Sequence, residues 1–219
     1  MSDEQPMRDE SLSARIRRET ASDHLNAEGG DVMTRLLGGA LPIGAYLDLV
    51  VQMRALYAEL ESWSARHSAD PRFGGFFDPV LHRSACLEVD RRAVESRVDS
   101  AVDASVSIAT KEFVGRLAEI GSTPLRLLAH HYTRYMGDLS GGIMIGRAVD
   151  RAYGFDGGPG VTWFQFPAIA DVDAYKNAYR ARLDGLGLDA TETDLLISEI
   201  HLSYTLNGGI LRDLSNRHA

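Results

Sequence analysis

The sequence predicts an all-α fold, a single irregular multi-helix domain, on three observations. Apolar residues recur at helical spacing through most of the chain, and strand-like alternation is scarce. Glycine or proline marks the breaks between these stretches, and none of the breaks is long enough to serve as an interdomain linker. With 219 residues, 44% of them hydrophobic, the chain carries enough apolar side chains to close one core.

Residues 1–10 are polar and acidic and lack the basic start and apolar run of a secretion signal, so they are expected to be a disordered lead-in to a domain spanning 11–219. The first helix is expected from Ser11 to Glu28 and ends at Gly29-Gly30. Leu41-Pro42 opens a long helix to His67, closed by Asp70-Pro71. Further helices follow from Pro79 to Arg97 and from Ser107 to Ile120. Thr123-Pro124 opens another, running to Tyr153, where the glycine-rich run Gly154 to Gly160 stops it. The last two are expected at Val172 to Leu186 and Thr191 to Asn216. There is no internal repeat and no low-complexity block.

A formal net charge of -8 argues against nucleic-acid binding, which needs a basic surface to displace counterions from phosphate. Cys86 is the single cysteine, which excludes an intramolecular disulfide or a cysteine cluster and fits a reducing cytoplasm. No apolar stretch approaches the roughly 18–20 residues needed to span a bilayer, so no membrane anchor is expected.

The most informative segment is HHYTRYMGDLSGGIMIG, His130 to Gly146. Each glycine inside a helical pattern costs about 0.5–1 kcal/mol relative to alanine, which calls for a compensating role. At 100° per residue Arg134, Asp138, Gly141, Gly142 and Ile145 share one stripe, placing a carboxylate beside positions without side chains. Such a face can admit a flat ligand against backbone. It equally serves close helix packing, with Asp138 capping a second helix that begins near Leu139.

A second constellation is TASDHLNAE, in which His24 precedes Glu28 by one turn and shares a stripe with Ile16, Thr20 and Ala27. An imidazole there can ligate a metal or pack as a hydrogen-bonded core residue, and spacing does not choose. His67, His82, His130, His131, His201 and His218 are the other histidines. Adjacent His130 and His131 point about 100° apart on a helix and make poor joint ligands. Basic residues gather at Arg15, Arg17 and Arg18, and at Lys176 and Arg180, one turn apart; alone they read as solvated charges. Asn207 lies on a stripe with Ile197, Ile200, Tyr204 and Leu211, where it either finds a buried polar partner or caps a kink before Gly208-Gly209.

The string YTRYMGDLSGG, Tyr132 to Gly142, closely resembles the distal-helix signature of heme oxygenases. The similarity continues through LHRSACLEVD (Leu81 to Asp90), FQFPAI (Phe164 to Ile169), YKNAYRARL (Tyr175 to Leu183) and YTLN (Tyr204 to Asn207), and covers most of Ser11 to Ser215. The resemblance implies a heme sandwiched between a proximal and a distal helix, with His24 as the proximal ligand of the heme iron and Glu28 supporting the acceptor of its other ring proton. It implies that Arg17, Lys176 and Arg180 hold the heme propionates by charge-assisted hydrogen bonds. Asp138 then orders a water chain toward oxygen activated on the heme, Gly137, Gly141 and Gly142 let backbone approach the ring, and Tyr57, Arg134 and Asn207 extend the distal network, with His82 a weaker member.

The activity implied is oxidative cleavage of heme b, both substrate and cofactor, at a meso carbon, the α position being expected. O2 and external electrons would yield biliverdin, carbon monoxide and ferrous iron. There is no GxGxxG and no cysteine cluster, so electrons are expected from a ferredoxin, flavodoxin or reductase docking near the basic rim, or from a small reductant. The sequence departs from mammalian members at Ala21, where they carry lysine, so the rim differs there. A noncatalytic heme carrier is the rival reading; it needs only an apolar slot and His24.

Overall fold

The computed structural model describes residues 10–23, 31–98 and 105–219. Among these residues there are nine α-helices and no strand: α1 (Leu12–Glu19), α2 (Asp31–Leu37), α3 (Ile43–Arg66), α4 (Ser84–Glu95), α5 (Ile108–Ile120), α6 (Pro124–Gly137), α7 (Ile143–Tyr153), α8 (Val172–Asp184) and α9 (Ala190–Arg217). The all-α, single-domain expectation is met. No described helix is long and apolar enough to cross a membrane.

The caps follow from local chemistry. Ser107 Oγ accepts from the Thr110 amide at 3.1 Å, and Asp171 Oδ1 accepts from the Ala174 amide at 2.9 Å. Asp189 and Glu192 form a reciprocal capping box at the head of α9. Gly154 closes α7 in the left-handed region at φ 66°.

Three departures from the expected elements have identifiable causes. The helix expected from Ser11 to Glu28 breaks at Thr20, whose hydroxyl turns back onto the Ile16 carbonyl at 2.9 Å. The helix expected from Pro79 to Arg97 splits into a 3-10 turn, Pro79–Leu81, and α4. Glu61, from α3, caps α4 across space by accepting the Arg83 and Ser84 amides and the Ser84 hydroxyl. Helix α2 was not expected: seven residues give too few turns for periodicity to register.

Helix α3 packs along α4 and α5, while α6 packs along α9, and α2 bridges α9 and α7. The core between them includes Leu56, Leu60, Leu81, Phe113, Leu127 and Ile200, all fully buried. Each contributes about 1.5–3 kcal/mol by leaving water. Helices α2, α3, α7 and α9 thereby frame a cleft whose floor is the α6–α7 junction.

Candidate active site

Helices α6 and α7 join without a loop through a π-helical turn, Asp138–Gly142. The wider turn adds a residue to the helix, a feature that recurs at functional sites. The expected helix from Pro124 to Tyr153 is therefore continuous but not uniform, and Asp138 is not the cap of a new helix. The cleft above this turn holds about 890 Å³ not filled by protein, part of it open to solvent. Its floor is Arg134, Gly137, Asp138, Gly141, Gly142 and Ile145. Met33, Leu36, Leu49 and Met53 form one wall and Trp163 and Phe164 another, while Tyr204, Asn207 and Leu211 project from α9.

Four of the expected residues meet in one polar network. The Tyr57 hydroxyl donates to Asp138 Oδ2 and accepts from Arg134 Nη2 at 3.0 Å and Nε at 3.2 Å. Arg134 Nη1 donates to Asn207 Oδ1 at 2.7 Å, and Arg134 Nη2 stands 3.7 Å from Asp138 Oδ1. Asn207 thus has its polar partner, and α9 continues through Gly208-Gly209 without a kink cap.

Burial pushes the Asp138 carboxyl above the usual carboxylate range, against the Arg134 charge and the Tyr57 hydrogen bond that favour ionisation. Burial also raises the Tyr57 phenol well above its ordinary value, so it remains a donor. Burial works against the Arg134 charge too, but Tyr57 and Asp138 together outweigh it. The cleft therefore holds a fixed cation, a neutral phenol and a carboxyl whose proton is unusually well retained.

The glycines divide by role. A Cβ on Gly137 would meet nothing within 4 Å, and one on Gly142 would sit 3.6 Å from the Asp138 Cβ. Both positions are open on the cleft side. A Cβ on Gly146 would fall 2.4 Å from the Phe164 Cβ, so this glycine exists for packing.

An adjoining hollow continues the cleft past Gly137, Thr133 and Tyr204 to Arg17, Thr20, Ser140 and Arg180. Arg17 is exposed; Arg180 is half-buried, donates from Nη1 to Asn177 Oδ1 at 3.0 Å, and keeps a buried Nε with no partner. Lys176 does not line the hollow; its Nζ pairs with Asp173 at 2.9 Å. Arg15 is taken up by Glu19 and Asp194, and Arg18 by Glu10 and Glu19.

His24 and Glu28 lie outside the described residues. The neighbouring Asp23 is tied to α9 through His201 Nδ1 at 2.6 Å. The remaining histidines have protein partners. His130 bonds Glu199 and His131 bonds Tyr179, both at 2.9 Å, His67 meets the Gly121 carbonyl, and His218 meets Asp48. His82 packs edge-on to Phe77 and stays out of the Tyr57 network. Burial lowers the His131 imidazole to about 3, which keeps it neutral. Among the described residues no group of three or more His, Cys, Asp or Glu could hold a metal ion.

An apolar slot with a side-chain-poor floor, a buried acid network at one end and guanidinium groups at the other fits a flat, amphipathic, anionic ligand. The family model for heme oxygenase matches residues 10–213. The chain belongs to the heme oxygenase family. Among curated relatives, heme oxygenase of Rhodella violacea is 30% identical over 95% of this chain and 88% of its own length. Heme oxygenase 1 of Bos taurus is 31% identical over 93% of this chain and 71% of its own length.

Among solved structures, heme oxygenase from Leptospira interrogans superposes with a TM-score of 0.85 at 29% identity, covering 93% of this chain and 99% of its own. Heme oxygenase-1 from Synechocystis sp. PCC 6803, solved in complex with heme, gives 0.86 at 27% identity, covering 94% and 93%. As a heme oxygenase the chain is a heme-degrading enzyme.

The sequence missed most of the apolar walls. Met33 and Leu36 belong to the unforeseen α2, and Trp163 and Phe164 to a 3-10 turn, Thr162–Phe164, where periodicity carries no signal. The FQFPAI resemblance pointed at Phe164 without giving it a role.

Proposed function

We propose that the chain binds heme b in this cleft and cleaves it at the α-meso carbon with O2 and delivered electrons, releasing biliverdin, carbon monoxide and ferrous iron. The observation that carries the proposal is the Asp138–Tyr57–Arg134–Asn207 network, buried at Tyr57 and Asp138, opening onto a floor where Gly137, Gly141 and Gly142 carry no side chains. Heme supplies the iron at which O2 is reduced and the carbon that is oxidised.

The residues do the rest. His24 is proposed as the iron ligand, with Glu28 supporting it. Gly137, Gly141 and Gly142 bring backbone against the ring and leave room for water beside Asp138. Tyr57 and Arg134 orient the Asp138 carboxyl, which retains a proton readily and can release it into the cleft through water. Met33, Leu36, Leu49 and Phe164 exclude bulk water from the far side.

Arg17 and Arg180 are proposed to hold the propionates, the unpartnered Arg180 Nε being a donor in want of an acceptor. Lys176 joins them only by leaving Asp173. That grip sets the rotation of the ring and hence the carbon attacked. Electrons are proposed to come from a ferredoxin, flavodoxin or reductase, or a small reductant, and the location is taken to be cytoplasmic.

A heme carrier needs only an apolar slot and an imidazole, so a buried acid network would burden it with desolvation cost for nothing. The test is to add hemin, supply ascorbate or a reductase in air, and follow the Soret band with bilin and iron release. Loss of heme with biliverdin formation supports the oxygenase; stable ferric heme without bilin selects the carrier. In His24→Ala the iron–imidazole spectrum is expected to disappear and to return with added imidazole, and an unchanged spectrum rejects the ligand assignment.

A further inference from the structure

Asp90, in α4, is fully buried and outside the network just described. Its carboxylate accepts four hydrogen bonds from one short segment. Oδ1 takes the Gly160 amide at 2.7 Å, the Thr162 amide at 3.0 Å and the Thr162 hydroxyl at 2.7 Å; Oδ2 takes the Trp163 amide at 2.8 Å. All four partners are donors. An asparagine whose oxygen kept the three donors at Oδ1 would turn its NH2 against the Trp163 amide, so only a carboxyl with two acceptor oxygens takes all four.

What the carboxylate holds is the wall of the cleft. The Trp163 and Phe164 rings pack at a tilt of 34° with centroids 3.9 Å apart, and Phe164 rests on the bare backbone of Gly146. The Trp163 ring stands edge-on to Tyr57 at 6.4 Å, and its indole N–H reaches the Tyr46 hydroxyl at 3.4 Å. Tyr46 in turn donates to the Gly160 carbonyl at 2.5 Å. Gly160 has φ 122°, and a Cβ there would strike the Phe155 ring at 2.2 Å, so only glycine fits at this point of the segment.

We infer that Asp90 is a positioning residue for the distal network: by fixing the Gly160–Trp163 backbone it presses Trp163 against Tyr57 and so keeps the Tyr57 hydroxyl on Asp138. The chain of contacts runs Asp90, Trp163, Tyr57, Asp138, from α4 to the cleft floor. Its consequence for turnover rests on the proposed heme oxygenase activity; its structural half does not.

The test uses a Trp63→Phe parent, in which Trp163 is the one remaining tryptophan. Asp90→Asn in that parent is expected to shift Trp163 emission to the red, increase acrylamide quenching, and move the tyrosine hydrogen-bond band in ultraviolet resonance Raman that Tyr57→Phe deletes. With hemin and a reductant, bilin yield is expected to fall about fivefold while hemin affinity stays within about threefold. In the parent with Trp163→Phe the same loss is expected, and adding Asp90→Asn to it removes little more, since both act through one contact.

Losses that multiply, or a mobilised Trp163 with unchanged tyrosine band and unchanged bilin yield, overturn the inference. Thr162→Val, which deletes one of the four donors, gives the same changes at smaller amplitude if Asp90→Asn does not fold. A parent that makes no bilin refutes the proposed function alone, and the two spectra still decide whether Asp90 positions Tyr57.

Discussion

Replacing Asp138 with asparagine is expected to stabilise the protein and disable it at once. Burial raises the Asp138 pKa above its ordinary value of 3.8, so the folded chain binds this proton more tightly than the unfolded chain does. Stability then falls as pH climbs from the unfolded value through the raised folded one, and above that the full penalty for ionising the group is present. Asparagine removes the penalty while its Oδ1 still accepts the Tyr57 hydroxyl. Arg134 loses only a carboxylate oxygen 3.7 Å away and keeps Asn207 at 2.7 Å.

A higher Tm at pH 7 is expected, the gain shrinking as the pH drops toward the ordinary aspartate value. Bilin formation is expected to fall about a hundredfold, the scale of a lost proton-transfer group. Calorimetry of the heme-free chain from pH 4 to 8, with biliverdin absorbance after hemin loading, reads both. A lower Tm at pH 7, a pH-independent difference, or a normal bilin yield would refute the reasoning.

Gly137→Ala fills space in which nothing stands within 4 Å, so the heme-free protein is expected to gain about 0.5–1 kcal/mol in urea unfolding while hemin titration shows weaker binding; unaltered affinity would remove Gly137 from the ligand face. Glu199 is held down to about 2 because hydrogen bonds from His130 and Arg116 outweigh the burial that opposes its ionisation. Relative to its ordinary 4.5 this contributes about 3 kcal/mol, present above the unfolded value and lost as pH falls through the folded one. Urea melts of Glu199→Gln are expected to show that deficit at pH 7 and a smaller one at pH 3. Arg180→Leu is expected to leave the iron spectrum intact but spread the biliverdin regioisomers seen by chromatography, and a single unchanged isomer would place the propionates elsewhere.

The fold was legible because amphipathic periodicity is strong in helices such as α6 and α7, and Pro124 and Gly154 mark the outer ends of that pair. The distal stripe was legible because its residues repeat at three and four positions, a spacing that the π turn broadens without scrambling. Less accessible was anything fixed by contacts across the chain. Glu61 starts α4 from 23 residues away, and Asp90 shapes a segment 70 or more residues later. Neither leaves a local pattern. The roles of Lys176 and Arg17 separated for a local reason: both are basic and near the expected rim, but Asp173, three residues from Lys176 on the same helix, claims one, and among the described residues nothing comparable claims the other.

The proposed active-site network and the fold are one object. Tyr57 belongs to α3, Arg134 to α6, Asp138 to the π turn and Asn207 to α9, and these same elements enclose the cleft. A hydrogen bond that aims Asp138 therefore also clamps the helices that would grip a ring. The arrangement is expensive: a buried carboxyl with a raised pKa, a half-buried guanidinium, and glycines in a helix each work against stability. Packing alone would be better served by leucine and alanine at these places. Their joint presence beside a run of glycines makes sense where a proton must be held near a ligand, and released to it, without the acid ever touching it.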